Sequence, residues 1–226
     1  SFQDRVRAGA ISAKLPILEW LVDANKQQKP ILGICNGCQI LAETGLVPNL
    51  DNAKTDDSET NIQIALTPNK IKTQETQKKR GFVCDWVYVT IDNPEKSIFT
   101  NKFTKEDIIP IQINHGEGNF KLSDTIKDKL NHVTSIKYCT SGGDIINTFP
   151  TNPNGSTENL AGICNEDGTV CAIMPHPERG SFLRQVPKWL NDQWSEEKRL
   201  KFQEDAKNSE EDGPWAKLFQ SLKEGL

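Results

Sequence analysis

Apolar residues at Ile11, Leu15, Leu18 and Val22 fall on one helical face, and the pattern dies in the polar Asn25-to-Lys29 stretch before Pro30. The next run, Pro30 to Ile34, is apolar throughout, as a strand buried on both faces of a parallel sheet would be. Asn36 to Thr44 reads as a helix closed by Gly45. A polar segment, Asp51 to Asn61, leads into four runs with strand character: Gln63 to Thr67, Phe82 to Ile91, Ile108 to Asn114 and Val133 to Thr140. Leu160 to Cys164 and Thr169 to Met174 flank Asn165-Glu166-Asp167-Gly168, whose Asp-Gly pair predicts a hairpin. That hairpin delivers the chain to PHPER. From Trp189 to Glu211 the sequence is charged, and Trp215, Leu218, Phe219 and Leu222 then mark a last amphipathic helix.

This order predicts an α/β fold: a mostly parallel central sheet flanked by helices, in one domain over residues 1–226, with 189–226 as a charged, helical C-terminal extension. The stretch from Trp189 to Asp212 reads as a solvated helix. The sequence opens at Ser1 without a methionine and runs at once into a helix, so a segment upstream is expected.

The 226 residues, 35% hydrophobic and 26% charged, suit one soluble core. A formal charge of −4 and a pI near 5.5 argue against a nucleic-acid face, although Lys78-Lys79-Arg80 is a local basic patch. No run is long enough to span a bilayer and no leader pattern is present, so a cytoplasmic location is expected. Six cysteines then read as reduced thiols, and the sequon Asn154-Gly155-Ser156 as coincidental.

GICNGCQIL, from Gly33 to Leu41, carries two of those thiols three residues apart. A zinc site would need about four ligands, and neither a second C-x-x-C nor a spaced histidine pair accompanies this one. No metal is expected. A thioredoxin-like βαβ context is missing as well. Instead Cys35 stands where a strand turns sharply into a helix, which would expose its side chain at the sheet's carboxyl edge beside backbone N–H groups. Gly33 and Gly37, two residues to either side, let that elbow be tight and let substrate approach the backbone. Cys38, a turn into the helix, reads as a packed core residue. A thiol nucleophile needs a base. His176 follows an apolar strand, and Glu178, two residues on in an extended segment, points the same way and can orient the imidazole. Cys35, His176 and Glu178 therefore form a candidate nucleophile, base and orienter.

On GICNGCQ and the late HPE the sequence resembles the class I (triad) glutamine amidotransferases. RAGAI, HGEGNF at His115 to Phe120, NPNGS at Asn152 to Ser156, and AGI followed by MPHPER narrow the resemblance to its ammonia suppliers for de novo purine biosynthesis. It implies a flavodoxin-like sheet whose N-terminal strands precede Ser1. It further implies that Cys35 attacks the side-chain amide of glutamine, that His176 shuttles the proton, and that the N–H of Asn36 is one oxyanion-hole donor. The second donor comes, in the family, from a glycine pair in a loop ahead of Ser1. Gln39 matches a glutamine lining the substrate pocket, and Asn114, Gly116 and Glu117 are weaker candidates for gripping the substrate's amino-acid end. His115 reads equally as structural and His132 as surface.

The chain contains no phosphate-cradling G-x-x-x-x-G-K-[ST]. No cofactor is expected in it. ATP and Mg are expected on a partner synthetase, a formylglycinamide ribonucleotide amidotransferase, with room for a small accessory subunit. Two rival readings stand beside this one: another amidotransferase or γ-glutamyl hydrolase with the same triad, and a non-catalytic interaction subunit that kept the fold.

Overall fold

The computed structural model describes residues 16–50, 62–73, 76–79, 81–201 and 210–224. RAGAI, Ile11 and Leu15, the polar Asp51-to-Asn61 segment, Arg80 and the middle of the charged C-terminal stretch lie outside the described residues.

Helix α1 (Ile17–Lys26) leads into β1 (Ile31–Ile34) and helix α2 (Asn36–Glu43), which Gly45 closes with φ +68°. Strand β2 (Ile64–Thr67) is followed by a short hairpin, β3 (Lys70–Lys72) with β4 (Gln77–Lys79). The long β5 (Val83–Asp92), β6 (Ile109–His115), β7 (Asn119–Leu122), the one-turn α3 (Asp124–Lys127) and β8 (Ser135–Cys139) fill the middle. The predicted hairpin is β9 (Leu160–Cys164) and β10 (Val170–Ile173), and α4 (Gln193–Lys201) and α5 (Ala216–Glu224) follow. Strand β7, which pairs antiparallel with β2, and the β3–β4 hairpin carry too short an apolar pattern to be read from the sequence.

Six strands form the central sheet in the order β1-β10-β9-β8-β5-β6. The α/β architecture is as expected, but the sheet is mixed. Among the described residues its parallel character is confined to the β1/β10 ladder, and the other four ladders are antiparallel. The short Asn165–Gly168 turn reverses the chain between β9 and β10, whereas β5–β6 and β8–β9 are joined by longer connections and β5 pairs with β8 across strands that intervene in sequence. A parallel neighbour requires the long crossover that separates β1 from β10. Strand β1 lies at the edge of the described sheet with its apolar side chains only partly buried, yet it meets core on both faces, Ile31 on the side of α2 and Leu32 on the other.

Core lies on both faces of the sheet. Along β10, Val170, Ala172 and Met174 pack on one side with Cys38, Leu41 and Ala42 of α2, while Cys171 and Ile173 pack on the other with Trp215 and Leu218. The period-two alternation of a strand thus puts every residue of this run in apolar surroundings.

The charged C-terminal extension is docked rather than merely solvated. Lys198 is buried and caps the carbonyls of Arg184 and Val186, and Arg199 donates to those of Lys188 (2.6 Å) and Leu190 (3.2 Å). The chain before α5 then zips along the segment after PHPER: Leu183 N–H donates to Glu211 O (2.8 Å), Gly213 N–H to Ser181 O (2.8 Å) and Trp215 N–H to Gly180 O (3.1 Å). Trp215 also reaches Pro110 O on β6 with its indole N–H (3.0 Å). An ammonium or guanidinium among carbonyls anchors a helix by hydrogen bonds that leave no apolar pattern in the sequence.

Candidate active site

The elbow is present at the junction of β1 and α2. Cys35 has φ +54° and ψ −106°, a conformation that costs a residue with a Cβ on the order of 1–3 kcal/mol and survives only where the surroundings enforce it. Its N–H donates to Ile173 O at 2.9 Å, tying it to β10 across the parallel ladder. Its carbonyl accepts from Gln39 N–H at 3.2 Å, the first intrahelical bond of α2. The amides of Asn36 and Gly37 precede that bond and have no intrahelical acceptor, as the first N–H groups of any helix do not.

Gly33 explains how the turn can be so tight. A Cβ there would lie 2.4 Å from Leu41 Cδ1 and 2.6 Å from Gly37 O, so the first turns of α2 rest directly on β1. A Cβ on Gly37 would meet nothing within 4 Å. That side of the elbow opens onto space.

The thiol itself departs from the expected exposure: Cys35 is 4% exposed and its Sγ points at Asn114 O, 3.9 Å away on β6. The end of β6 covers it. Cys38 is fully buried in the core beneath α2. The C-x-x-C spacing therefore separates the thiols into one at the elbow and one in the core, and a helical turn, not a shared site, accounts for it.

His176 follows β10 and is bound to the same strand that covers Cys35. Its N–H donates to Gln112 O at 2.8 Å in an isolated antiparallel bridge, two residues from Asn114. His176 is 7% exposed, and its Nδ1 lies 2.6 Å from Glu178 Oε1. Nε2 is buried without a hydrogen-bond partner among the described residues. With Nδ1–H donated to Glu178, Nε2 is the basic nitrogen, available to accept a thiol proton. Burial pushes the Glu178 carboxyl up. The hydrogen bond and charge of His176, its own backbone N–H and Arg179 together outweigh that and leave it below its ordinary value. Glu178 is thus an anion beside the imidazole.

The remaining expected residues take different places. Asn36 Nδ2 donates to Gln39 Oε1 (2.9 Å), and Gln39 Nε2 donates to Glu117 O (3.2 Å). Gln39 is fully buried, so it fastens α2 to the turn after β6 rather than lining open space. Asn114 contributes its carbonyl to the site. Gly116 and Glu117 form the turn between β6 and β7. His115 is fully buried with its ring under Gly118, where a Cβ would come within 2.5 Å of it, which is the structural role allowed for it. His132 is exposed, as expected.

A buried asparagine scaffold holds that turn, and sequence reasoning missed its extent. Asn69 donates from its backbone to Gly116 O (2.8 Å) and from Nδ2 to His115 O (2.9 Å), and accepts from Gly118 N–H (2.9 Å). From the opposite side Asn154 Nδ2 and Ser156 Oγ both donate to Gly118 O, at 2.8 and 3.3 Å. Asn152 in turn accepts from the N–H groups of Gly155 and Ser156. NPNGS is therefore interior architecture. Asn154 is fully buried and cannot serve as a glycan acceptor. Asn69 gave no sequence signal beyond its place after Pro68 at the end of a strand.

A family model described as the CobB/CobQ-like glutamine amidotransferase domain matches residues 8–224. The chain is 41% identical over 192 residues to the phosphoribosylformylglycinamidine synthase subunit PurQ of Methanothrix thermoacetophila, covering 83% of this chain and 70% of that protein. It is 34% identical over 209 residues to the subunit of the same name from Moorella thermoacetica, covering 88% and 78%. Among solved structures, that of PurLQS from Thermotoga maritima matches with a TM-score of 0.59 and 29% identity, over 96% of this chain and 72% of that one.

Proposed function

The chain belongs to the family of CobB/CobQ-like glutamine amidotransferase domains, and from that membership we propose that it is the glutaminase subunit of a phosphoribosylformylglycinamidine synthase. The observation that carries the chemistry is the convergence on β6 of a strained cysteine elbow and a carboxylate-oriented histidine, at Asn114 and Gln112 respectively.

In this reading the Cys35 thiol gives its proton to His176 Nε2 and attacks the side-chain amide carbon of glutamine. The oxyanion forms beside the Asn36 N–H, at the N-terminus of α2. Collapse of the tetrahedral intermediate expels ammonia, protonated by His176, and leaves a γ-glutamyl thioester. Water activated by the same imidazole then releases glutamate. Glu178 holds the ring in the tautomer that keeps Nε2 basic and stabilises the imidazolium when it forms. Gly37 provides the open side by which glutamine reaches the thiol. Gly116 and Glu117, on the scaffolded turn, receive the amino-acid end of the substrate.

Ammonia passes to a synthetase chain that carries the ATP and Mg chemistry and makes formylglycinamidine ribonucleotide, in the cytoplasm. Relatives that bear the synthase-subunit name and the PurLQS neighbour support this partner. The test compares nitrogen sources in the complex. With Cys35→Ala, synthesis from glutamine should vanish while synthesis from added ammonium salt persists. Loss of both in an intact complex, or retention of both, would refute the reading.

A further inference from the structure

Beyond the triad, the structure places two side chains where they can govern the base without touching glutamine. Gln112 binds the turn twice. Its carbonyl accepts from His176 N–H (2.8 Å), and its Oε1 accepts from Arg179 Nη1 (2.8 Å). Arg179 in turn lies with Nε 3.7 Å from Glu178 Oε1, the same oxygen that receives His176 Nδ1. The carboxylate is therefore held between the imidazole and a guanidinium whose far end is fixed to the strand that also covers the thiol.

Resting on the triad reading above, we infer that Gln112 and Arg179 are positioning residues of the glutaminase reaction. Gln112 locks Arg179, and Arg179 fixes both the orientation and the charge of Glu178 against His176. A guanidinium offers donors in a rigid plane, so one end can be anchored while another edge faces a carboxylate, which a lysine ammonium cannot do as well. The other groups around the pair are Cys35 at the elbow, Cys84 of β5, whose Sγ lies 3.9 Å from Gln112 Nε2, and Asp212 and Lys223, which line one groove with Glu178. None of these is fixed to Gln112 by a charged donor.

The expected consequences follow from charge. A cation next to the imidazole and carboxylate opposes protonation of the pair, so its removal should carry the acid limb of kcat/KM to higher pH. Both side chains are about 40% exposed, and screening limits that displacement to roughly 0.3–0.6 pH unit.

The experiment measures glutamine hydrolysis against pH in the full chain complexed with its synthetase, for wild type, Arg179→Ala, Arg179→Lys and Gln112→Ala. Thermal unfolding checks that each variant is folded. Arg179→Ala should lower kcat about tenfold with KM within about twofold, and raise the acid limb. Arg179→Lys should return the limb to its wild-type position while recovering only part of the rate, and Gln112→Ala should fall between. A folded Arg179→Ala variant with the wild-type limb overturns the inference. So does a rise in KM at unchanged kcat, which would make Arg179 a substrate contact. A wild-type complex that leaves glutamine intact would overturn the triad reading as well, and the failure of the two ideas is thereby distinguished.

Discussion

At the elbow, Cys35 is held in a strained positive-φ backbone conformation by apolar contact: α2 sits on β1 at Gly33, and Cys38, Leu41 and Ala42 are sunk in the core. At the turn after β10, His176 is held by polar contact, through Gln112 O, Glu178 and the C-terminal chain zipped along residues 180–183. Steric positioning is steep, because a helix cannot half-enter a space. Hydrogen-bonded positioning is graded, because each bond contributes only about 0.5–1.5 kcal/mol net and neighbours share the task. The nucleophile should therefore respond to substitution in an all-or-none manner and the base by degrees.

The sharpest way to break this contrast is at the thiols. Cys35→Ala should reduce glutamine turnover at least about a thousandfold. Cys38→Ala, three residues on, should keep most of the activity and lose only packing stability, about 1–2 kcal/mol. Equal losses would mean that the two thiols act as a unit. Gly33→Ala comes next. Its Cβ would overlap Leu41 and the Gly37 carbonyl, so the elbow must shift, with about 1–3 kcal/mol lost in unfolding experiments and turnover lost in larger proportion. A Gly33→Ala protein with wild-type kcat would show that the elbow is held by something other than this contact.

On the graded side, His176→Ala should lower kcat by roughly 10²–10⁴, and Glu178→Gln, which keeps the ring in place but removes the charge, by less. Equal rates in these two variants would remove the division between base and orienter. The smallest effect is on stability against pH. The folded Glu178 carboxyl lies below its ordinary value, which is about 4.3. The contribution of the His176–Glu178 pair is then fully present above the ordinary value and lost as pH falls through the depressed one. Glu178→Gln should flatten that acid limb of an unfolding curve by a small amount, since the carboxylate is 43% exposed. A stability profile unchanged by the substitution would mean the pair orients without stabilising.

The elbow was legible in the sequence because steric control leaves small residues and apolar periods behind: Gly33, Gly37 and the Pro30-to-Ile34 run specify it within one short stretch. His176 and Glu178 were legible through their i, i+2 spacing after a strand. The polar supports were not. Asn69 and the clamp from Lys198 and Trp215 donate to carbonyls distant in sequence, and Gln112 accepts from His176 and Arg179 far along the chain; such bonds have no period. For the same reason Cys35 read as exposed: nothing near it in the chain announces that the end of β6 will cover it. The sheet read as mostly parallel because the Pro30-to-Ile34 run is apolar throughout, yet burial on two faces is equally available to an antiparallel strand with core on both sides.

Six thiols in one chain allow a direct test of the central claim that backbone geometry, not accessibility, selects the nucleophile. Cys84 is exposed, whereas Cys35 is 4% exposed. The intact complex is treated with one equivalent of a glutamine-shaped electrophile, with and without excess glutamine, and the modified cysteine is located by peptide mass spectrometry. A single adduct on Cys35, prevented by glutamine, with Cys84 untouched, is the expected result. An adduct on Cys84 or Cys38 that glutamine prevents, with Cys35 unmodified, would contradict it.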